Sequence, residues 1–234
     1  YGDHRDLHSF RTRRSSDLND MENGLRIAQK AVDLYPESDE IFDLYARLRK
    51  SLAHNEIETL KKSVEQRPSQ SAFAQLAEFY KDLREEDAAL KYCRQSVELF
   101  PNTDSPYLIM GELRLRRFYK DFLAKDGKIA ITNLEKAYEI NQRNYKALIL
   151  LSKLYLQIGF ISKAADKLAK ILRFAPEDGE VKEMIEICKK IPRPSHEDID
   201  LLLQTAEDQR RLYCSLEDEE VDSEPLPLTP EVFQ

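Results

Sequence analysis

The sequence repeats one helix–turn–helix pattern, and its copies are spaced about 34 residues apart. The two copies that align without a gap carry the same residue types at matching positions: Tyr80 and Tyr155, Ala89 and Ala164, Pro101 and Pro176. A repeat of this length exposes an apolar face that only neighbouring copies can cover. We therefore expect an all-α solenoid of antiparallel helix pairs whose core is shared between successive copies.

These two copies resemble the tetratricopeptide repeat family. Its pattern has a bulky residue at position 4, Leu-Gly or Leu-Ala at 7 and 8, Tyr at 11, Ala at 20 and 27, and Pro at 32. Residues 70–103 match with Phe73, Leu76, Ala77, Tyr80, Ala89 and Pro101. Residues 145–178 match with Leu148, Leu151, Ser152, Tyr155, Ala164 and Pro176. The resemblance implies a right-handed superhelical solenoid that binds other proteins.

The remaining copies depart from the pattern in length. Residues 104–144 begin in register but reach their second helix seven residues late, which predicts an insertion around 118–125. Residues 37–68 form a shortened repeat that lacks about two residues between its helices. Residues 20–36 match a second helix alone and are interpreted as a half repeat. Together these segments predict a solenoid domain over residues 19–192.

Two further helices are expected after the last full repeat. Apolar residues in 180–191 recur at three- and four-residue steps, which predicts an amphipathic helix that caps the solenoid. Pro192 and Pro194 end it, and residues 195–214 predict another helix, with an N-cap at Ser195 and an apolar stripe of Ile199, Leu202, Leu203, Ala206 and Leu212. Residues 215–234 are acidic and contain proline, so we expect a disordered tail.

The first 18 residues, YGDHRDLHSFRTRRSSDL, show no apolar period of either kind. They resemble the peptide produced when a sequencing adapter is translated in frame with a metagenomic read. The alternative interpretation is a disordered basic leader. In the first case the natural start of the protein would be missing, and that missing part could include a targeting signal or a membrane anchor.

The charge distribution argues against general attraction to nucleic acid. Residues 195–234 hold twelve acidic and two basic residues, whereas residues 19–194 hold 30 basic and 28 acidic ones. A nucleic-acid interface needs a basic excess along one face, and the predicted solenoid is nearly neutral. No apolar run approaches the roughly 20 residues of a membrane helix. Three separated cysteines, Cys93, Cys188 and Cys214, suit reduced thiols, so a cytoplasmic location is expected.

No motif indicates an enzyme, a cofactor or a metal site. Outside the first 18 residues the only histidines are His54 and His196, and neither has cysteine or carboxylate neighbours at metal-ligand spacing. Six isolated glycines make no phosphate-binding loop. The predicted function is therefore non-catalytic recognition of another protein or peptide.

The resemblance also implies where that partner binds, because positions 2, 5, 9 and 12 of each first helix line the concave groove in this family. The matching residues here are Ser71, Ala74, Glu78 and Lys81, then Ser105, Leu108, Glu112 and Leu115, then Lys146, Ile149, Lys153 and Leu156. The leucines and Ile149 would form an apolar strip for a helix or an extended peptide. Lys146 and Lys153 would receive an acidic group at one end.

Three alternatives stay open at this stage. Some of the groove leucines would instead pack beneath the insertion or against the terminal helix. The chain would also suit a regulatory or docking segment of a larger multidomain enzyme or transport and assembly machine, with a further domain before Asp20 or after Gln234. Finally, the acidic tail would occupy the groove near Lys146 and Lys153 until a partner displaces it.

Overall fold

A computed structural model describes residues 20–32, 34, 38–191 and 198–221, with side chains as far as Leu212. In this part the chain forms helices joined by short turns. Helix α1 spans residues 20–32. The others are α2 (Asp39–Leu52), α3 (His54–Gln66), α4 (Gln70–Asp82), α5 (Glu86–Leu99), α6 (Asp104–Asp121), α7 (Ala124–Ile140), α8 (Tyr145–Gln157), α9 (Ile161–Leu172), α10 (Gly179–Lys190) and α11 (Ile199–Val221). Within these residues there is no strand, and the all-helical prediction is confirmed.

The helices belong to two compact units, Tyr1–Tyr92 and Cys93–Gln234, and the division falls within α5. In the second unit, α6 packs along α7 and α8 packs along α9, as the repeat pattern predicts. Position 8 of α6 is Gly111, where an added Cβ would lie 2.7 Å from Leu134 Cδ2 of α7. A small residue is therefore needed there, because the two antiparallel helices approach closely.

The predicted insertion lengthens two helices instead of forming a loop. Helix α6 has 18 residues and α7 has 17, compared with 13 in α8 and 12 in α9. The turn between them is short, with Phe122 in the left-handed region at φ 51°. Phe118 is fully buried beneath this turn, and Arg114 Nη1 lies 2.9 Å from Asp126 Oδ1 across the pair. The added turns thus form an extended α6–α7 tip, and its Phe118 belongs to the core of the second unit.

The first terminal helix, α10, buries Val181, Met184 and Cys188 against the second unit's core, as an amphipathic end helix does. The Asp178 carboxylate accepts a hydrogen bond from Val181 N–H at 3.0 Å and caps its first turn. This contact fixes the start of α10 at Gly179, one residue before the predicted boundary.

The next helix differs from the prediction at both ends. Helix α11 begins at Ile199, where Asp198 caps it by accepting hydrogen bonds from the backbone of Asp200 and Leu201. It continues to Val221, so residues 215–221 are helical where a disordered tail was expected. Extending an existing helix costs less than starting one, and the Leu and Glu residues of this stretch are good helix formers. Residues 222–234 lie outside the described part.

The predicted apolar stripe of α11 mostly packs as expected. Ile199, Leu202, Leu203 and Ala206 contact the second unit's core, and Leu203 is 1% exposed. Leu212 is instead 62% exposed, so it does not belong to the packed face. The packed side faces the N-terminal part of α7, where Lys128 Nζ lies 2.9 Å from Asp200 Oδ2. Helix α11 therefore covers the α6–α7 tip.

The first unit contains a correction to the shortened repeat at 37–68. Helices α2 and α3 do not pack side by side but join end to end through Ala53. Ala53 N–H donates to Arg49 O at 3.0 Å, and Ile57 N–H donates to Ala53 O at 2.9 Å, so the last bond of α2 and the first bond of α3 share this residue. With about two residues missing from the connection, the chain bends at Ala53 instead of reversing.

The half repeat at 20–36 is described over residues 20–32 and 34. Its Ala28 is buried with Phe42 and Tyr45 of α2, so α1 covers one face of α2. The first 18 residues lie outside the described part of the chain. None of the described helices combines the length and the apolar character that crossing a membrane would need.

Candidate functional site

In the second unit, the predicted groove residues lie on α6 and α8, and we call this set the α6–α8 face: Ser105, Leu108, Glu112, Leu115, Lys146, Ile149, Lys153 and Leu156. These residues occupy equivalent positions of two successive first helices. The two helices contact each other, and the Lys146–Glu112 ion pair crosses between them.

The apolar strip of this face is narrower than predicted. Leu115 is 4% exposed and Ile149 is 8% exposed, and both belong to the core of the second unit together with Leu203 of α11. Leu108 and Leu156 are half-buried against the same core. Only these last two leucines offer an appreciable part of their side chains to a partner. Leu115 and Ile149 therefore stabilise the core and are not available as anchors.

The lysines of the α6–α8 face are already engaged within the protein. Lys146 Nζ lies 2.5 Å from Glu112 Oε1, and Lys153 Nζ lies 2.8 Å from Glu180 Oε1 on α10. About half of each lysine side chain is exposed, with 52% for Lys146 and 49% for Lys153. Both partners of the Lys153–Glu180 pair are about half exposed, so a competing carboxylate can replace Glu180 at low cost. Glu112 is only 13% exposed, so a competing carboxylate would share Lys146 with it.

In the first unit, the four predicted residues of α4 do not behave alike. Ser71 is exposed, and Ala74 and Glu78 line a cleft. Lys81 is 6% exposed and forms an ion pair with Glu78. Its position faces the interior because α4 packs against α3, so Lys81 is a structural residue and not a groove contact.

The cleft has a volume of about 320 Å³ and lies between α4 and the α2–α3 junction. Its lining consists of Arg49, Ala53, Glu56, Ile57, Leu60, Ala74, Gln75, Glu78, Phe79 and Asp82. The guanidinium carbon of Arg49 lies 5.6 Å from the centre of the Phe79 ring. The lining residues of α2 and α3 were not predicted, because the repeat pattern places those two helices in an antiparallel pair.

The most buried ionic cluster of the second unit lies in its core. Glu135 of α7 accepts hydrogen bonds from Lys167 Nζ at 2.6 Å and from Tyr155 Oη at 2.9 Å. Lys167 Nζ also lies 4.6 Å from the centre of the Tyr138 ring. Burial, and then the neighbouring Glu135 charge, raise the pKa of Tyr155 far above its ordinary value. This cluster joins α7, α8 and α9, so its role is structural.

Comparison with known families supports the repeat interpretation. The sequence model described as Tetratricopeptide repeat matches residues 71–103. The chain therefore carries a tetratricopeptide repeat, and the resemblance to that family is confirmed. The tetratricopeptide fold supports a role in protein–protein interaction in general terms. Comparison with curated protein sequences gives no match.

Three solved structures are similar to the tetratricopeptide repeats of this chain at low sequence identity. A thermophilic TPR protein of Thermus thermophilus is 19% identical with a TM-score of 0.47, over 76% of this chain and 95% of that one. The MamA protein is 17% identical with a TM-score of 0.43, over 87% and 97%. A tetratricopeptide repeat protein from Parabacteroides merdae is 14% identical with a TM-score of 0.44, over 92% and 78%.

Proposed function

We propose that this chain is a non-catalytic scaffold that binds a peptide or a helix of a partner protein on the α6–α8 face. The observation that carries the proposal is the position of Leu108 and Leu156. They are half-buried leucines at groove positions of successive first helices, and the Lys146–Glu112 and Lys153–Glu180 ion pairs lie on the same face. Apolar anchors would supply most of the affinity, and the flanking charges would orient the partner.

The charges favour a partner segment that carries a carboxylate beside its apolar anchors. Lys146 and Lys153 are held in place by Glu112 and Glu180, and half of each lysine side chain remains accessible. A partner carboxylate would share or replace these internal partners and fix the direction of the bound segment. The proposal includes no nucleic-acid partner, since the solenoid residues carry nearly balanced charge.

A cytoplasmic location forms part of the proposal. Cys93 and Cys188 are both buried free thiols in the structure. Each packs as a small apolar side chain, and burial raises the pKa of the Cys188 thiol. Thiols that remain reduced in the core suit a reducing compartment.

The test is co-purification from extracts of the source organism with the full chain as bait. The groove variant carries Leu108→Glu and Leu156→Glu, whereas Leu115 and Ile149 stay unchanged because they belong to the core. A matched control carries Leu44→Glu and Leu201→Glu, which replace leucines that are 49% and 56% exposed elsewhere. Circular dichroism checks that all three proteins are equally helical.

We expect a specific partner to be recovered with the wild type and the control and lost with the groove variant. Two buried charges in an apolar contact should weaken binding at least tenfold, which corresponds to about 1.4 kcal/mol. A partner that binds the groove variant as well as the wild type would move the function away from this face. Recovery of no specific partner would count against the scaffold itself.

A further inference from the structure

We propose that the cleft between α4 and the α2–α3 junction is a docking site for a lysine or arginine side chain of a partner polypeptide. This inference rests on the proposed function, the recognition of polypeptides, and assigns a second site to it. The cleft differs from the α6–α8 face in its helices, its charge and its origin. It exists because α2 and α3 join end to end.

The floor of the cleft is apolar. Ala53, Ile57 and Phe79 are at most 8% exposed, and Leu60 and Ala74 complete the surface. A lysine or arginine side chain carries three or four methylene groups, which gain from contact with such a floor. The volume of about 320 Å³ suits one long side chain better than a whole helix.

The rim of the cleft is predominantly acidic. Glu56, Glu78 and Asp82 bring three carboxylates to the lining, and Arg49 is its only basic residue. The Arg49 guanidinium lies over the Phe79 ring, where the aromatic face stabilises it. The Lys81 ammonium, which pairs with Glu78, is buried and does not line the cleft. The accessible charge at the mouth is therefore negative and complements a cation.

The shape and the charge together favour one class of occupant. An apolar side chain would fill the floor but would bring no positive charge to the rim, where carboxylates outnumber basic residues. An acidic side chain would be repelled by them. A lysine or arginine places its methylene groups on the floor and its charge among the carboxylates, so both parts of the cleft are used.

A random library of twelve-residue peptides displayed on phage provides the probe, and the full chain is the immobilised target. A neutralised variant carries Glu56→Gln and Asp82→Asn, and Glu78 stays unchanged because it pairs with the buried Lys81. The matched control carries Asp43→Asn and Glu65→Gln, two exposed carboxylates of the same unit outside the cleft. A filled variant, Ala74→Phe, blocks the floor without changing any charge.

We expect the wild type and the control to enrich peptides in which a lysine or arginine stands beside apolar residues. The neutralised and filled variants should enrich these peptides about tenfold less, since a charge-assisted contact or the floor itself is lost. Raising the salt concentration should weaken the enrichment on the wild type.

Enriched peptides that lack a basic residue would overturn the proposal. Basic peptides that bind the neutralised variant equally well, or no enrichment above an unrelated protein, would overturn it too. The groove variant with Leu108→Glu and Leu156→Glu is panned in parallel, so the two sites are tested separately. Peptides that fail to be enriched only on that variant indicate binding at the α6–α8 face. Peptides that fail to be enriched only on the cleft variants indicate binding in the cleft.

Discussion

The Glu207 carboxylate of α11 accepts a hydrogen bond from the backbone N–H of Ala124, the first residue of α7, at 2.7 Å. The preceding residue, Leu123, has no side-chain oxygen and makes no capping hydrogen bond. A residue 83 positions away therefore supplies the cap of α7. The carboxylate is 11% exposed and also contacts Arg211 at 2.5 Å, so it is held in place on both sides.

Replacing Glu207 with alanine should weaken the packing of α11 on the start of α7. The lost cap should cost about 0.5–2 kcal/mol, the usual effect of removing an N-cap side chain. Hydrogen exchange read by mass spectrometry should show faster exchange in residues 124–131 and 199–212. Asp208→Ala is the control, because the Asp208 side chain is exposed and accepts a hydrogen bond from Gln204 of the same helix. Equal exchange in the two variants would show that α11 is held without this cap.

The contact that binds α11 most closely to the tip is at Gly127. An added Cβ there would lie 2.5 Å from Leu203 Cδ2 and 3.0 Å from Phe118 Cδ2, and both side chains are almost fully buried. Gly127→Ala should therefore destabilise the protein by about 1–3 kcal/mol, although alanine is the better helix former. Urea unfolding measures the change.

Gly179→Ala provides the opposite expectation as a control. Gly179 begins α10, and an added Cβ there meets no heavy atom within 4 Å. This substitution should stabilise the protein by about 0.5–1 kcal/mol, because glycine loses more conformational freedom on folding. The prediction for Gly127 is wrong if the two substitutions shift the urea midpoint in the same direction.

The sequence predicted the repeats of the second unit well because their pattern is local. Small residues such as Gly111 and Ala164 mark close helix contacts, and both are buried where the pattern places them. The end-to-end junction at Ala53 was not predictable in the same way, since a count of missing residues does not say whether a chain reverses or bends. The cleft depends on that junction and was missed with it.

Side-chain burial at the groove positions was predicted less well than backbone register. Leu115 and Leu156 occupy the same repeat position, yet one is in the core and the other is half-buried. A family pattern assigns the position along the helix, but the exposure of a side chain depends on the neighbours that each copy has, and these differ between the copies.

The ion pair between buried Lys167 and half-buried Glu135 should stabilise the fold more than the more exposed Lys170–Asp166 pair does. Lys167→Met leaves the Glu135 carboxylate with its hydrogen bond from Tyr155, which should cost about 1–3 kcal/mol. Lys170→Met, which breaks a more exposed pair with Asp166 on the same helix, should cost less than about 1 kcal/mol. Urea unfolding of both variants gives the comparison.

A second substitution tests the origin of that cost. In the double variant Lys167→Met and Glu135→Gln, no charge is left unpaired in the core, so part of the lost stability should return. A double variant less stable than Lys167→Met alone would mean that the Glu135 charge stabilises the core through Tyr155 and not through Lys167.

The pH dependence of stability should report on Asp178, the N-cap of α10. Hydrogen bonds from the Val181 backbone and from Tyr145 Oη lower the pKa of Asp178 below its ordinary value. Because the folded pKa is the lower one, the stabilisation is fully present above the unfolded pKa of about 3.9 and is lost as the pH falls through the folded pKa. Asp178→Asn keeps a capping oxygen but does not titrate.

Urea unfolding from pH 7 down to about pH 2.5 tests this expectation, with the wild type losing more stability on acidification than Asp178→Asn. Glu177→Gln is the control, because the Glu177 side chain is 92% exposed and pairs with exposed Lys182, so its stability should change with pH as the wild type's does. The stability that Tyr145→Phe loses on acidification should lie between the losses of the wild type and of Asp178→Asn, since the substitution removes one of the hydrogen bonds that lower the pKa of Asp178. If Asp178→Asn follows the wild type throughout, other carboxylates govern acid unfolding, and the cap of α10 does not depend on the charge of Asp178.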